Sequence, residues 1–266
     1  MYNEERDPSN ELAHYFTKEF LKWANESNII AEFVRFNPMT MNHNLFVSQY
    51  DIELNRRTVS INTNQNFNSM LSNGTSARKR NYYKAQNNGL EVIWCSLKDE
   101  GAIKCFRELY DATMNRLDAD KYYHFSDEYF KTLSELPDQN ALISMAVYGG
   151  DLPVAASLFL FDEFSAHYHL GGSDEAYKDL QGSAFLLWEA AKAAHEMGCE
   201  CLHLGGGLSL DPDDKLFAFK KGFSSKINEF YIGKRIIDFS KYYAISDAWK
   251  EKTGKTSGIL LHYHNL

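Results

Sequence analysis

Residues 142–173 read LISMAVYGGDLPVAASLFLFDEFSAHYHLGGS, and this stretch decides the fold. Leu142 to Tyr148, Pro153 to Phe161 and Ser165 to Leu170 are apolar runs of strand length. Gly149-Gly150-Asp151 and Asp162-Glu163 between them are short turn sequences, so the three runs form an antiparallel meander. Gly171-Gly172-Ser173 ends it. Downstream, a helix runs from Ser183 to Met197 and stops at Gly198. A short strand, Cys201 to Leu204, enters Gly205-Gly206-Gly207, and a helix from Asp213 to Lys221 leads to a last strand, Ile227 to Ile232. Upstream, residues 99–117 form an amphipathic helix with Ile103, Phe106, Leu109, Tyr110 and Met114 inward. Ser126 caps a second helix reaching Leu136, with Phe130 and Leu133 inward.

The first hundred residues are less regular. Leu12, Phe16, Phe20 and Trp23 recur at helical spacing. Ile29 to Phe36 reads as a strand stopped by Asn37-Pro38. Phe46 to Tyr50 and Thr58 to Ile61 read as two strands around a polar turn at Asn55-Arg56, followed by a polar stretch from Asn62 to Gly74. Residues 75–87 carry the basic run Arg78 to Lys84 and read as a helix before a strand, Leu90 to Cys95. A final helix, Lys241 to Lys252, packs on the outside.

Composition narrows the function classes. The 266 residues are 44% hydrophobic, enough for one large core or two small ones. A net charge of −8 argues against a dedicated nucleic-acid binder and against DNA as a partner, so an RNA partner needs a local basic patch. The four cysteines form no C-x-x-C pair, which fits a reduced, cytoplasmic setting. No apolar run is long enough to span a membrane, and the polar N-terminus lacks a signal-peptide core.

From residue 99 the order α, α, β, β, β, α, β, α, β is that of a GNAT core after its first strand, which Leu90 to Cys95 supplies. The expected fold is therefore α/β and GNAT-like, the acyl-CoA N-acyltransferase fold, with a mixed, mostly antiparallel sheet flanked by helices. Residues 1–97 form a partial N-terminal GNAT-like unit, 98–240 the complete acyltransferase unit, and 241–266 a C-terminal helix and tail.

Several segments are similar to the Fem family, transferases that move an amino acid from aminoacyl-tRNA onto a cell-wall precursor. Arg35-Phe36-Asn37-Pro38 resembles its Arg-Phe-x-Pro strand end, and Arg80 to Ala85 with Gly89 its basic helix. Tyr110 to Arg116 resembles the first helix of its second unit. His167 to Ser173 and His203 to Gly207 resemble the two strand ends facing its site, and Leu216 to Lys220 with Phe223 its Phe-Lys-x-x-Phe segment. Together they cover roughly residues 30–235. Two features depart from the family: the N-terminal unit is short by several strands, and no long heptad pair is present. The resemblance implies transfer of an aminoacyl or other acyl group to an amine of a peptidoglycan precursor or amino sugar, with a UDP-sugar or lipid-linked cell-wall precursor as acceptor. It implies no tightly bound cofactor and a donor that is aminoacyl-tRNA or, alternatively, acetyl-CoA.

Aminoacyl transfer needs an amine to lose a proton, an oxyanion to be stabilised, and two substrates held close. Lys220 matches the lysine the family uses in catalysis, against the reading of a solvated lysine beside Lys221. Gly205, Gly206 and Gly207 let a backbone pass close to a ligand, or form a plain turn. Asp213 and Asp214 are the nearest carboxylates, and Asp214 is the candidate base; such a pair also caps helices. Tyr168 is the third candidate catalytic residue, against a core tyrosine. Tyr110, His169, Gly171, Gly172, Ser173 and Phe219 are candidate substrate contacts, and Arg35, Arg80, Lys84 and Arg116 candidate phosphate binders. A tRNA surface would come from residues 78–84 with Lys220, Lys221, Lys226, Lys234 and Arg235.

The turn Gln181-Gly182-Ser183 is the candidate cofactor site, since CoA users of this fold grip pyrophosphate at that helix N-terminus; it has one glycine and misses the full Gly-rich pattern. Cys199, Cys201 and His203 alternate, as do His167 and His169, but known zinc spacings are not matched and no metal is expected. No G-x-S-x-G and no G-x-G-x-x-G after a strand is present. The rivals to aminoacyl transfer are a CoA-dependent N-acyltransferase and a non-catalytic binding module.

Overall fold

The computed structural model describes residues 11–262. Contacts divide the chain into two units, one comprising the described parts of Met1–Arg56 and Asn228–Leu266, the other Arg57–Ile227.

The second unit carries the sheet anticipated from residues 142–173. Strands β2 (Asp51–Asn62, of which 57–62 belong here), β3 (Glu91–Ser96), β4 (Ala141–Tyr148), β5 (Leu152–Phe161), β6 (Ser165–Ser173) and β7 (Cys201–Gly206) lie in the order β2-β7-β6-β5-β4-β3. The meander β4-β5-β6 is antiparallel throughout, and Gly149 and Gly150 turn its first corner at φ 66 and 95, a region open to glycine. Among the described residues of this unit the one parallel pairing is β6 with β7, over Ser165↔Cys201, Ala166↔Leu202 and His167↔His203.

Helices cover both faces. Helix α6 (Gly182–Glu196) is apolar nearly all round and buries Phe185, Leu186, Leu187 and Trp188 on one face of the sheet. Helices α2 (Phe67–Asn73) and α3 (Ser76–Asn87) extend that cluster through Met70, Leu71 and Tyr82, each N-capped by the side chain before it, Asn66 and Thr75. Helices α4 (Glu100–Arg116) and α5 (Asp127–Ser134) build the second cluster with Phe106, Tyr110 and Phe130, capped by Asp99 and Ser126. The short helix α7 (Lys215–Lys221) follows β7.

In the first unit, helix α1 (Glu11–Glu26) forms as its spacing requires, but Leu12, Phe16 and Trp23 are exposed and Ala13, Thr17 and Ala24 are buried. Strand β1 (Ala31–Arg35) pairs antiparallel with β8 (Ile227–Ile236), from Ala31↔Ile236 to Arg35↔Ile232. The unit closes with α8 (Phe239–Thr253).

Three local expectations change. Phe46 to Tyr50 is not a strand: Asn42–Phe46 is a 3-10 turn, because Phe46 and Tyr50 both pack against the Phe36 ring. Asn55-Arg56 is not a turn but lies within β2, where Arg56 Nε satisfies Asn55 Oδ1 at 2.8 Å and the Ile52/Leu54 alternation carries the strand onward. The polar stretch 62–74 contains α2.

Candidate active site

The candidate site is where β6 and β7 part. Their shared ladder stops at His167↔His203, although β6 continues to Ser173 and β7 to Gly206. Past that rung each strand follows its other neighbour: Tyr168 pairs with Phe159 and Gly205 with Val59. Both pairings carry a register shift at this level, between Leu158/Phe159 and between Val59/Ser60. Such bulges re-aim side chains and end pairing.

Lys220 fills this notch. Its side chain turns inward from α7 and is only 7% exposed, so the solvated-surface reading is overturned and Lys220 leaves the proposed surface patch. Nζ donates to Gly206 O at 2.8 Å and lies 5.6 Å from the Tyr168 ring centroid. Gly205 sits at φ 75, and a Cβ there would be 3.2 Å from Nζ, so this glycine gives the ammonium its room. Burial pushes the Tyr168 phenol up to about 12, opposed by a hydrogen bond with Ser157, so it stays protonated at neutral pH.

Asp214 is held elsewhere. It is the N-cap of α7, accepting from Phe217 N at 2.8 Å, and it also accepts from Leu208 N at 2.5 Å and Ser209 N at 3.1 Å. Those backbone N–H groups outweigh burial and hold its carboxyl below the usual range. The geometry shows the capping role that the sequence also allowed. A Cβ on Gly207 would fall 2.4 Å from this carboxylate, so Gly207 serves the cap rather than Lys220.

Three histidines surround the parting rung. The His167 and His203 rings meet edge-on at 5.4 Å. His167 Nε2 lies 3.0 Å from Ser165 Oγ, which donates to Asp162 Oδ2 at 2.8 Å. His169 is bonded to the Tyr129 hydroxyl of α5. Burial lowers the proton affinity of all three, most strongly at His203, where it falls to about 3 with added repulsion from His167 and Lys220.

Other candidates are spread along β6 and the helices. Gly171 accommodates the Tyr168 hydroxyl, and Gly172 the α4 backbone, where a Cβ would be 2.4 Å from Leu109 O. Ser173 is tied to α4 by Thr113 Oγ1 and by Arg116, whose Nη1 donates to Ser173 O at 3.2 Å. Tyr110 is buried and donates to Tyr123 O. Gly182 is enclosed, since a Cβ there would be 2.9 Å from Ala155 Cβ, and Gln181 Nε2 turns back to Lys178 O. That glycine is needed for helix–sheet packing, with partly buried Ser183 beside it.

Among the basic candidates, Arg80 and Lys84 are exposed on α3, and Arg35 is exposed at the end of β1 in the first unit. Lys234 and Arg235 are ion-paired with Glu53 and Glu32, Arg235 at 11% exposure, so Arg235 offers no open positive surface. The sequence reading did not single out Arg78. Its guanidinium lies 4.2 Å from the Phe219 ring and 5.4 Å from that of Phe223, and Nε donates to Phe219 O at 3.3 Å. The signal was its place in the basic run; the partner ring four residues from Phe223 was not visible. Among the described residues no group of three or more His, Cys, Asp or Glu is placed to hold a metal ion, and no helix is long and apolar enough to cross a membrane.

An antiparallel meander followed by a helix and a parallel strand that diverges from it define the fold class as α/β and GNAT-like. The family model for the FemAB family matches residues 144–251, which include the meander, the notch and Lys220. The aminoacyltransferase FemA of Staphylococcus epidermidis is 22% identical over 240 residues, 67% of this chain and 57% of the relative. FemA of Staphylococcus aureus is 23% identical over 245 residues, 68% of this chain and 58% of the relative. The chain thus spans a little over half the length of these curated relatives. The crystal structure of FemX superposes with a TM-score of 0.71 at 14% identity, covering 89% of this chain and 79% of that one. L-PGS from Bacillus licheniformis follows at 0.56 and 15%, covering 82% and 71%. The chain is thus similar to the FemAB family over residues 144–251 and shares the fold of FemX.

Proposed function

We propose that this protein is an aminoacyltransferase that moves an aminoacyl group from aminoacyl-tRNA onto an amine of a peptidoglycan precursor. The observation that carries the reading is Lys220, an ammonium drawn into the gap between two parting strands and fixed by Gly206 O. A cation preorganised in a shielded gap stabilises the oxyanion that forms when an amine attacks an acyl ester. The family relation supports the direction, since the relatives FemA are aminoacyltransferases. Tyr168 beneath Lys220 supplies an apolar ring wall and a neutral hydroxyl. Acceptor and donor phosphates would meet Arg80 and Lys84, the exposed candidates of α3. Acetyl-CoA as donor gains no support from Gly182, whose open side faces Ala155. The setting proposed is the cytoplasm, where aminoacyl-tRNA is made.

The test is product formation, followed by mass spectrometry, from a panel of aminoacyl-tRNAs with UDP-linked and lipid-linked muropeptide acceptors. Wild type should form an aminoacylated acceptor, and Lys220→Met should lower kcat by about 10²–10³ with its thermal midpoint unchanged within a few degrees. Transfer from acetyl-CoA alone, or unchanged turnover in Lys220→Met, would overturn the reading.

A further inference from the structure

The notch contains a cation and a protonated phenol, yet the attacking amine must also give up a proton. The groups bordering the parting strands differ in whether they are free to accept a hydrogen bond from its N–H. Asp214 is occupied by backbone N–H groups at Phe217, Leu208 and Ser209. Tyr168 keeps its own proton. His167 Nε2 faces Ser165 Oγ, and His169 Nε2 faces the Tyr129 hydroxyl. His203 Nε2 is buried and makes no hydrogen bond. A buried polar atom left unpaired costs roughly 1–3 kcal/mol, so Nε2 is stabilised by any N–H donor that reaches it.

We infer that His203 is a catalytic residue whose Nε2 accepts the N–H of the incoming amine at the rung where β6 and β7 part. The inference rests on the transfer reading above. His203 sits on the last shared rung, opposite His167, and close enough to Lys220 to feel its charge. The two groups divide the work. Lys220 meets the negative charge that grows on the acyl oxygen, and His203 holds the amine with its lone pair toward the acyl carbon. The N–C bond forms, the acyl C–O bond to the ribose breaks, and the proton that leaves nitrogen ends on the departing ribose oxygen. His203 serves as an acceptor during this passage and not as a proton store, because its surroundings keep the ring neutral across the physiological range.

The role separates from simple packing by comparing His203→Met, which fills the volume without a strong acceptor, with His203→Gln, whose amide oxygen accepts an N–H. His203→Met should lower kcat about 10²-fold while leaving KM for the acyl donor within threefold. His203→Gln should stay within tenfold of wild type. His203→Met within threefold of wild type sinks the role. So does a folded His203→Gln that loses 10²-fold or more, and this variant decides the matter if His203→Met does not fold. Absence of product from wild type would remove the transfer reading and this role together, whereas product from wild type with an unimpaired His203→Met removes the role alone.

Discussion

The ends of β6 and β7 look alike in sequence and do different work. Both leave a histidine-bearing strand through glycines, His167 to Gly172 in one case and His203 to Gly207 in the other. On β6 the missing side chains admit the protein's own neighbours, the Tyr168 hydroxyl at Gly171 and the α4 backbone at Gly172. On β7 the space at Gly205 admits the Lys220 ammonium, while Gly207 admits the carboxylate that caps the helix carrying it. One glycine pair therefore closes the structure, and the other seats a charge. A glycine's neighbour, not the glycine, decides whether it belongs to a fold or to a site.

The widest separation between the two ends should appear on acidification. His203 binds protons far less readily folded, at about 3, than its ordinary value of 6.5. A group whose folded value is depressed leaves the protein fully stable above pH 6.5 and loses stability as pH falls toward 3, because the unfolded chain takes the proton first. At about 1.4 kcal/mol per unit between 6.5 and about 3, the full loss from His203 is on the order of 5 kcal/mol. His167 and His169 on β6 shift the same way, and the depressed carboxylates Asp162 and Asp214 add their loss only below their usual range. Urea midpoints measured from pH 7 to pH 4 should fall steeply in wild type and less in His203→Gln. An equally steep fall in both would move the acid sensitivity from His203 to the other depressed histidines, His43, His167 and His169.

Next in size is the glycine that closes β6. In Gly172→Ala the new methyl meets Leu109 O at 2.4 Å and Tyr110 N at 2.5 Å, which are backbone atoms of α4 and cannot swing aside. Overpacking of this kind costs about 3 kcal/mol. A drop in the urea midpoint with kcat of the folded fraction unchanged would assign Gly172 to the fold, and a selective loss of kcat would move it into the site.

Much of the second unit was legible because its signals are local. Gly149-Gly150 requires positive φ, and Asp99, Ser126 and Thr75 cap the helices they precede. The errors arose where tertiary packing outweighs local pattern: Asn55-Arg56 carries turn residues but continues a strand, and the Phe46–Tyr50 aromatics pack around Phe36 instead of extending. The candidate site was half legible. Lys220 could be found by its likeness to a known segment, but its burial could not. His203 read as one member of an alternating Cys/His strand, because an unpaired nitrogen is a property of neighbours distant in sequence. Arg78 was hidden among stronger-looking cations for the same reason, its partners Phe219 and Phe223 lying on and after α7.

The smallest predicted effect bears most directly on the contrast between the two ends. Gly205→Ala demands a left-handed conformation at φ 75, which costs an ordinary residue roughly 1–2 kcal/mol. The new methyl would stand 3.2 Å from Lys220 Nζ, the end of a flexible side chain, so the fold can yield where Gly172→Ala cannot. Yielding means that Nζ shifts by a few tenths of an ångström from its place on Gly206 O. A charge preorganised for one oxygen loses its value faster than a fold loses stability, since misplacement of a catalytic group lowers rate out of proportion to the strain. Gly205→Ala should therefore lower kcat about tenfold or more with a smaller fall in the urea midpoint than in Gly172→Ala, which keeps its kcat. If Gly205→Ala lowers only stability, Lys220 tolerates displacement, and the division between a closing glycine pair and a charge-seating one fails at its central residue.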